Sequence, residues 1–180
     1  MGMSISIPRY TVEELEQFPH DGNRYELLDG MLIVTPAPRQ AHQVIAGRVQ
    51  GRLTMALQDA AHVVGPGAVT MLPATQLEPD ILVYPSHFSP MLHWAEITEH
   101  WLAVEVLSRS SRMYDRLYKR DAYFQLGVQQ VWLVDIDDRS IEVSRSRTEH
   151  EAVRDVIRWR VPTLDRVVPI DLAEVFAGVE

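Results

Sequence analysis

The sequence predicts an α/β domain built around a mixed β-sheet. Residues 101–136 have the pattern of an apolar strand, a helix and a second apolar strand, the unit that joins two parallel strands by a crossover. Elsewhere in the chain, Asp29-Gly30 lies between two apolar stretches and is a strong signal for a hairpin, and therefore for antiparallel pairing. The length of 180 residues, without an internal repeat, a low-complexity tract or a linker, predicts a single domain over 1–180.

The N-terminal elements follow from capping and turn residues. Thr11-Val-Glu-Glu14 is a capping box and predicts a short helix that ends at about Phe18. The two strands of the hairpin extend over 24–35. Apolar residues at helical spacing then predict a long helix over roughly 39–60.

Short apolar segments between turn residues predict the remaining elements. Strands are expected at 62–64, 68–72, 80–84, 101–107, 130–136, 140–144 and near 152–160. The stretch 85–100, with two Pro and three His, predicts a loop. Further helices are expected at 111–126, where Gly127 forms the C-cap, and at 172–176.

The composition excludes several classes of function. The absence of Cys removes disulfide frameworks, thiolate nucleophiles and Cys-ligated zinc. No apolar run approaches the ~20 residues that span a bilayer. Because the N-terminus also lacks a signal-peptide pattern, we expect a cytoplasmic protein without membrane contact. The net charge of -8 argues against non-specific electrostatic binding of nucleic acid over a large surface, but it does not exclude a local basic groove.

Two carboxylates are the main candidates for chemistry. Glu105 lies in a strand that should be buried on both faces, where a carboxylate needs a cation, a metal or a proton. A buried ion pair with Arg is the alternative interpretation. Asp80 comes at the start of another apolar strand, although Asp after Pro is also common in turns. If the two strands are neighbours, Asp80 and Glu105 form an oxygen site suited to Mg²⁺.

Basic residues cluster on the helix that follows the Glu105 strand. The 17 basic residues comprise 16 Arg and one Lys, Lys119. Five of these cations fall within 12 residues, namely Arg109, Arg112, Arg116, Lys119 and Arg120. Asp115 and Lys119 are four residues apart, so one interpretation is a surface ion pair worth ~0.3–0.5 kcal/mol. The other is an ammonium that stabilises charge developing on a phosphate or positions an attacking water, with Arg109, Arg112 and Arg116 contacting nucleic acid.

Two further residues are open to a structural or a functional interpretation. Glu26, in the hairpin, is either a solvated residue or a third acidic participant. His42, near the start of the long helix, is either structural or a phosphate contact or base. The seven His show no HExxH spacing, and the chain has no Walker A loop, GxGxxG or GxSxG motif. These absences argue against a zinc hydrolase, a nucleotide-binding enzyme and a serine hydrolase.

Short motifs along the chain together resemble the Uma restriction endonuclease family. The motifs are Tyr25-Glu26-Leu-Leu-Asp-Gly30, Thr35-Pro-Ala-Pro38 with His42, Pro79-Asp80-Ile-Leu-Val, Val104-Glu105-Val-Leu-Ser108, Tyr114-Asp115 through Lys119 and Tyr123, Gly127-Val128, and Val131-Trp-Leu-Val-Asp135. They occur in the family's order over roughly 10–177. Each motif is short, so the specificity of the resemblance comes from the set.

The resemblance implies the restriction-endonuclease-like, or PD-(D/E)XK, fold: a central mixed sheet flanked by helices, with an N-terminal hairpin and helix. Asp80 matches the PD aspartate and Glu105 the (D/E) position, which together imply a site for Mg²⁺ or Mn²⁺. Leu107 occupies the position where the broader superfamily has Lys. The Uma pattern implies that Lys119 has taken over this role and that Glu26 joins the site.

The predicted function is metal-dependent hydrolysis of phosphodiester bonds in nucleic acid, with DNA as the expected substrate. A homodimer is expected because cutting both strands of a duplex needs two sites. The acidic net charge and the missing in-strand Lys favour an alternative, a catalytically inactive nucleic-acid-binding or regulatory protein on a nuclease scaffold. A third possibility is an interaction or toxin-type protein that acts only within an assembly.

Overall fold

The computed structural model describes residues 8–108, 112 and 115–179. Its strands are β1 (Arg24–Leu28), β2 (Met31–Thr35), β3 (Ala61–Val64), β4 (Val69–Met71), β5 (Thr75–Leu77), β6 (Ile81–Pro85), β7 (Leu102–Leu107), β8 (Val131–Asp135), β9 (Ser140–Ser144), β10 (His150–Val153), β11 (Val156–Arg160) and β12 (Val167–Asp171). Its helices include α1 (Val12–Leu15), α2 (Gln40–Leu57), α3 (Arg120–Gln125) and α4 (Leu172–Val175). A π-helical turn, Asp115–Lys119, leads into α3, and 3₁₀ turns occupy Gln58–Ala60 and Trp94–Glu96.

Six strands form the central sheet, in the order β10-β9-β8-β7-β6-β3. Strands β7 and β8 run parallel, and every other neighbouring pair in this sheet is antiparallel. All residues of β6, β7 and β8 are buried, as expected for apolar strands at the centre of a sheet. The predicted mixed α/β architecture is therefore confirmed.

The two faces of the central sheet are covered by different elements. Alternate side chains of a strand point to opposite faces. Thus Leu102, Val104 and Val106 of β7 belong to a core shared with α2, α4 and the β11–β12 hairpin. Ala103 and Leu107 belong to a second core with α3 and strands β4 and β5. Glu105 is on this second face, so the sheet directs its carboxylate toward the helix that carries Lys119.

The N-terminal hairpin belongs to a second, antiparallel sheet with the order β2-β1-β5-β4. Its turn is the predicted one: Asp29 and Gly30 both have positive φ, 50° and 78°. The capping box of Thr11 and Glu14 is also present at α1. The hairpin matters for the site because Glu26 of β1 is completely buried.

Several elements differ from the sequence expectation. The single strand near 152–160 is wrong, because two strands, β10 and β11, occur there. Strand β5 was not predicted because Thr75-Gln-Leu77 is not an apolar run, and β12 was not predicted because Pro169 is a poor strand former. The helix over 111–126 is π-helical at Asp115–Lys119, while 111, 113 and 114 lie outside the described residues.

Within the described ranges, no helix is both long enough and apolar enough to cross a membrane.

Candidate active site

Asp80 and Glu105 lie side by side at one end of the central sheet. Ile81 of β6 pairs with Val104 of β7, and continuing this antiparallel register by one residue brings Asp80 beside Glu105. The backbone N–H of Val106 donates to Asp80 Oδ2 at 2.7 Å and confirms the proximity of the two chain segments. Both carboxylates are buried, with exposures of 7% and 3%. The expectation that their strands are neighbours is confirmed.

Asp80 is held by one residue from each of two other elements. Arg24, the first residue of β1, donates from Nη2 to Asp80 Oδ1 at 2.8 Å. His42, near the start of α2, places Nε2 3.0 Å from Asp80 Oδ2. Burial opposes ionisation of Asp80, but His42 and Arg24 outweigh it and hold the carboxyl pKa below its ordinary value. Asp80 is therefore a carboxylate across the neutral pH range.

Glu105 is held by two residues of the following helical segment. Lys119 Nζ lies 3.1 Å from Glu105 Oε1, and the Tyr123 hydroxyl donates to the same oxygen at 2.6 Å. Lys119 and Tyr123 are four residues apart, so they project from the same side of the segment. The other oxygen, Glu105 Oε2, accepts no hydrogen bond from the residues that the structure describes. This oxygen is thus available to a ligand.

Glu26 approaches Lys119 from the hairpin. Its Oε2 lies 2.7 Å from Lys119 Nζ, while its Oε1 accepts a hydrogen bond from the Glu78 backbone N–H at 2.7 Å. The interpretation of Glu26 as a solvated hairpin residue is wrong, because the side chain is fully buried in this network. The interpretation of Asp115 and Lys119 as a surface pair is also wrong, since each is only 3% exposed.

For both Glu105 and Lys119, burial disfavours the charged form while neighbouring opposite charges favour it. Burial raises the pKa of Glu105 to about 8, against the favourable charge of Lys119 and with a further increase from Asp80. Burial also disfavours the Lys119 ammonium, but Glu105, Glu26 and Asp115 more than compensate and raise its pKa above the ordinary value. Lys119 is therefore a permanent cation, and a further positive charge beside Glu105 would lower the pKa of its carboxyl group.

The carboxyl groups of the site outnumber its permanent cations. Among the described residues, three buried carboxyl groups contact the two permanent cations Arg24 and Lys119. The three are Glu26, Asp80 and Glu105. A divalent cation would offset this excess, which is a specific reason for the site to bind one.

The donor set fits Mg²⁺ or Mn²⁺ through two carboxylates. A carboxylate has about four lone-pair positions. Asp80 uses three of them, for Arg24, His42 and Val106, which leaves one on Oδ1. Glu105 offers the whole of Oε2. Among the described residues no group of three or more His, Asp or Glu side chains is arranged as a ready-made metal site. Mg²⁺ does not require one, because it binds through one or two carboxylates together with water and phosphate.

A cleft of about 560 Å³ opens over these carboxylates. Its walls come from the ends of β7 and β8, the segment between β2 and α2, and the first turn of α2. Of the residues expected to contact nucleic acid, His42 and Arg112 line this cleft. Arg109 lies outside the described residues. The cleft therefore brings His42 and Arg112 near the buried carboxyl groups.

Arg112 and Arg116 are both ion-paired within the fold. Arg112 Nη2 contacts Asp135 at 3.1 Å and Asp137 at 2.9 Å, and Arg116 Nη2 contacts the second oxygen of Asp135 at 3.1 Å. Asp135 is buried at the end of β8, next to Leu107 of β7. These pairs anchor the helical segment to the sheet. A contact of Arg112 or Arg116 with nucleic acid remains a prediction.

Two residues of the site were not predicted to belong to it. Arg24 is two positions before Glu26 in a strand, so the period of two indicates that both side chains share a face. Tyr123 is four positions after Lys119 in a helical segment, a spacing that indicates a shared face as well. Both signals were present in the sequence, but they have meaning only once Glu26 and Lys119 are known to be buried.

The fold belongs to the restriction-endonuclease-like α/β class, with a central mixed sheet covered by helices on both faces. The chain belongs to the Uma2 family, described as "Putative restriction endonuclease", whose model matches residues 12–176. A crystal structure titled as that of a putative nuclease belonging to DUF820, from Anabaena variabilis ATCC 29413, superposes with a TM-score of 0.71. The two sequences are 20% identical, and the match covers 95% of this chain and 99% of that chain, which shows a shared fold. No curated protein gave a match. Membership of the family supports a nuclease function.

Proposed function

We propose that the protein is an endonuclease that hydrolyses phosphodiester bonds of DNA with Mg²⁺ or Mn²⁺ as cofactor. The observation that carries the proposal is the placement of Asp80 beside Glu105 at the edge of a cleft, where one lone-pair position of Asp80 Oδ1 and the whole of Glu105 Oε2 are open to a cation. The excess of buried carboxyl groups gives the same site an electrostatic need for divalent charge. Family membership supports the proposal independently.

Each residue of the site has a role that follows from its contacts. Asp80 and Glu105 would hold the cation, which when bound polarises a phosphate and lowers the pKa of a water molecule. Arg24 and His42 fix the orientation of the Asp80 carboxylate. Lys119 presents a permanent positive charge beside Glu105, where it stabilises negative charge that develops on the phosphate. Glu26 in turn fixes the position of the Lys119 ammonium.

The cleft wall is proposed to contact the phosphate backbone. His42 and Arg112 line the cleft directly. Arg109 and Arg116 belong to the same basic segment of the sequence, and we propose that they also contact nucleic acid. Such contacts act through phosphate neutralisation, so binding should weaken steeply as salt is raised. A cytoplasmic homodimer, in which two copies of the site cut the two strands, completes the proposal.

The test is nicking of supercoiled plasmid DNA with and without Mg²⁺. Asp80→Asn and Glu105→Gln keep the size of each side chain and remove its charge. Each should lower the nicking rate at least ~100-fold, the scale expected for loss of an electrostatic contribution at a catalytic centre. Chelation with EDTA should abolish nicking of the wild-type protein.

Glu174→Gln provides the matched control. Glu174 is an exposed carboxylate that pairs with Arg52 outside the cleft, so this variant removes the same charge without touching the site. It should nick at the wild-type rate. Thermal unfolding of all three variants shows whether they fold. Wild-type activity in both Asp80→Asn and Glu105→Gln would refute the proposal.

A second candidate is a nucleic-acid-binding or regulatory protein without catalysis. The observation that favours it is the engagement of both Asp80 oxygens by Arg24, His42 and the Val106 N–H, which leaves Asp80 little capacity for a metal. Calorimetric titration with Mn²⁺ separates the candidates, because a binding scaffold needs no metal. Mn²⁺ binding that Asp80→Asn abolishes would favour the nuclease.

A further inference from the structure

The segment between β2 and α2 forms an exposed wall of the cleft. Residues 36–40 are all exposed, and those at 36–39 line the cleft. Proline fixes φ and lacks a backbone N–H, so Pro36 and Pro38 restrict the conformations of this segment. The segment ends at Arg39, whose backbone is extended (φ -73°, ψ 162°) and directly precedes α2. Arg39 is therefore presented to the cleft by a conformationally restricted stretch of chain.

Arg39 differs from the other permanent cations of the cleft in having no partner within the fold. Among the described residues that line the cleft, four side chains always carry positive charge: Arg24, Arg39, Arg112 and Lys119. Three of them contact carboxylates of the chain at 2.7–3.1 Å. Arg39 makes neither an ion pair nor a side-chain hydrogen bond to any residue that the structure describes, and its side chain does not cap α2. Its charge is thus available to a ligand.

The paired cations are less suited to bind an incoming phosphate. The carboxylates of Glu26, Asp80 and Asp135 are buried, so a cation that left one of them for a phosphate would leave a buried charge without its partner. Arg39 incurs no such cost, because no carboxylate of the described chain depends on it. Its guanidinium also presents a planar fork of donors that matches the geometry of a phosphate group.

We propose that Arg39 binds the phosphate backbone of the nucleic-acid substrate next to the acidic site. This inference rests on the proposed function, because a site that hydrolyses phosphodiester bonds must receive the backbone in the same cleft. The buried carboxylates Asp80 and Glu105 repel that backbone, and an unpaired cation on the cleft wall opposes the repulsion. The contact is to a phosphate oxygen, so it contributes affinity without reading the base sequence.

The salt dependence of DNA binding tests the inference without requiring nuclease activity. The full chain is titrated against a fluorescein-labelled DNA duplex in EDTA, and fluorescence anisotropy gives the affinity at several salt concentrations. One phosphate contact contributes about -0.9 to the slope of log K against log salt. Arg39→Gln should reduce the magnitude of the slope by that amount. The ratio of wild-type to variant affinity should therefore fall about 3.5-fold as salt rises from about 50 to about 200 mM.

Arg147→Gln is the matched control for the loss of one positive charge. Arg147 is also exposed and without an ion pair among the described residues, but it lies between β9 and β10 and does not line the cleft. The control should keep the wild-type slope. Arg39→Lys retains the charge and should keep the slope as well. Thermal unfolding should be the same in all of these variants, because neither arginine side chain contacts the described fold.

The outcomes distinguish the inference from the proposed function. Equal slopes for the wild type and Arg39→Gln, or equal reductions in Arg39→Gln and Arg147→Gln, would overturn the inference and leave the roles of Asp80 and Glu105 standing. A second duplex of different sequence should show the same loss in Arg39→Gln, and a loss confined to one duplex would overturn the backbone contact in favour of a base contact. A wild-type protein that binds neither duplex would overturn the inference together with DNA as the proposed substrate.

Discussion

The substitution Tyr123→Phe removes one hydroxyl group from the site and leaves the ring that carries it. Tyr123 is fully buried, and its hydroxyl donates a 2.6 Å hydrogen bond to Glu105 Oε1. The ring itself packs in the core between the central sheet and α3. Because phenylalanine preserves this packing, the substitution isolates the contribution of one hydrogen bond to a buried carboxyl group.

The size of the effect follows from the charge of the acceptor. Because burial raises the pKa of Glu105 to about 8, the carboxyl group is mainly ionised only above that pH, where hydrogen bonds to charged groups contribute ~1.5–3 kcal/mol to stability, roughly twice the value of neutral ones. Lys119 still contacts the same oxygen, so Glu105 does not become unpartnered and the loss should stay within that range. A loss of about 2 kcal/mol corresponds to a decrease in Tm of roughly 4–8 °C for a chain of this size.

Equilibrium unfolding in urea above the Glu105 pKa of about 8, followed by far-UV circular dichroism, measures the effect. Tyr84→Phe is the matched control, because Tyr84 packs in the same core but its hydroxyl makes no hydrogen bond to the residues that the structure describes. We expect Tyr84→Phe to leave the free energy of unfolding nearly unchanged. Equal effects of the two substitutions, or a loss below about 0.5 kcal/mol in Tyr123→Phe, would refute the assignment of this hydrogen bond.

Two further predictions concern His100 and Gly30. Burial lowers the pKa of His100 to about 4, whereas an unfolded chain protonates His near 6.5. Acidification from pH 6.5 to pH 4 therefore favours the unfolded state, by up to about 3 kcal/mol. His100→Gln should show a shallower loss in urea unfolding across this window, and parallel curves would contradict the prediction. Gly30 has φ 78°, and a Cβ there would lie 3.2 Å from the Tyr10 carbonyl oxygen. Gly30→Ala should thus cost ~1–2 kcal/mol in thermal unfolding. Gly47→Ala, in the open middle of α2, should instead gain ~0.5–1 kcal/mol, and equal Tm changes would contradict this reasoning.

Local signals predicted the elements that depend on neighbours in the chain. The Thr11–Glu14 capping box and the Asp29-Gly30 turn both occur as expected. The apolar run at 101–107 is a buried central strand, and Gly127 follows α3 with φ 84° as a helix terminator. Such signals succeed because capping, turn conformation and periodicity are properties of residues a few positions apart.

The same local logic failed where an element depends on its partners. The pair Asp115 and Lys119 has the spacing of a solvated helix pair, yet both side chains are buried. The period of an α-helix does not indicate the π-helical turn that contains them. Glu26 likewise has the pattern of an exposed hairpin residue, and only the packing of the second sheet against the helical segment buries it. Secondary-structure propensity depends on neighbouring residues in the chain and does not indicate which surfaces other elements cover.

The identity of the candidate residues was contained in the chain, and their arrangement was not. A carboxylate inside an apolar strand indicates chemistry because burial of charge is costly, and this argument needs no structure. The partnership of Asp80 with Glu105 depends on the register between β6 and β7. The convergence of Glu26 and Glu105 on Lys119 depends on the packing of two sheets and a helix, because residues distant in the chain meet only through the tertiary fold. Sequence patterns report the free energy of local conformations and of burial, whereas distances between elements are determined by how those elements pack.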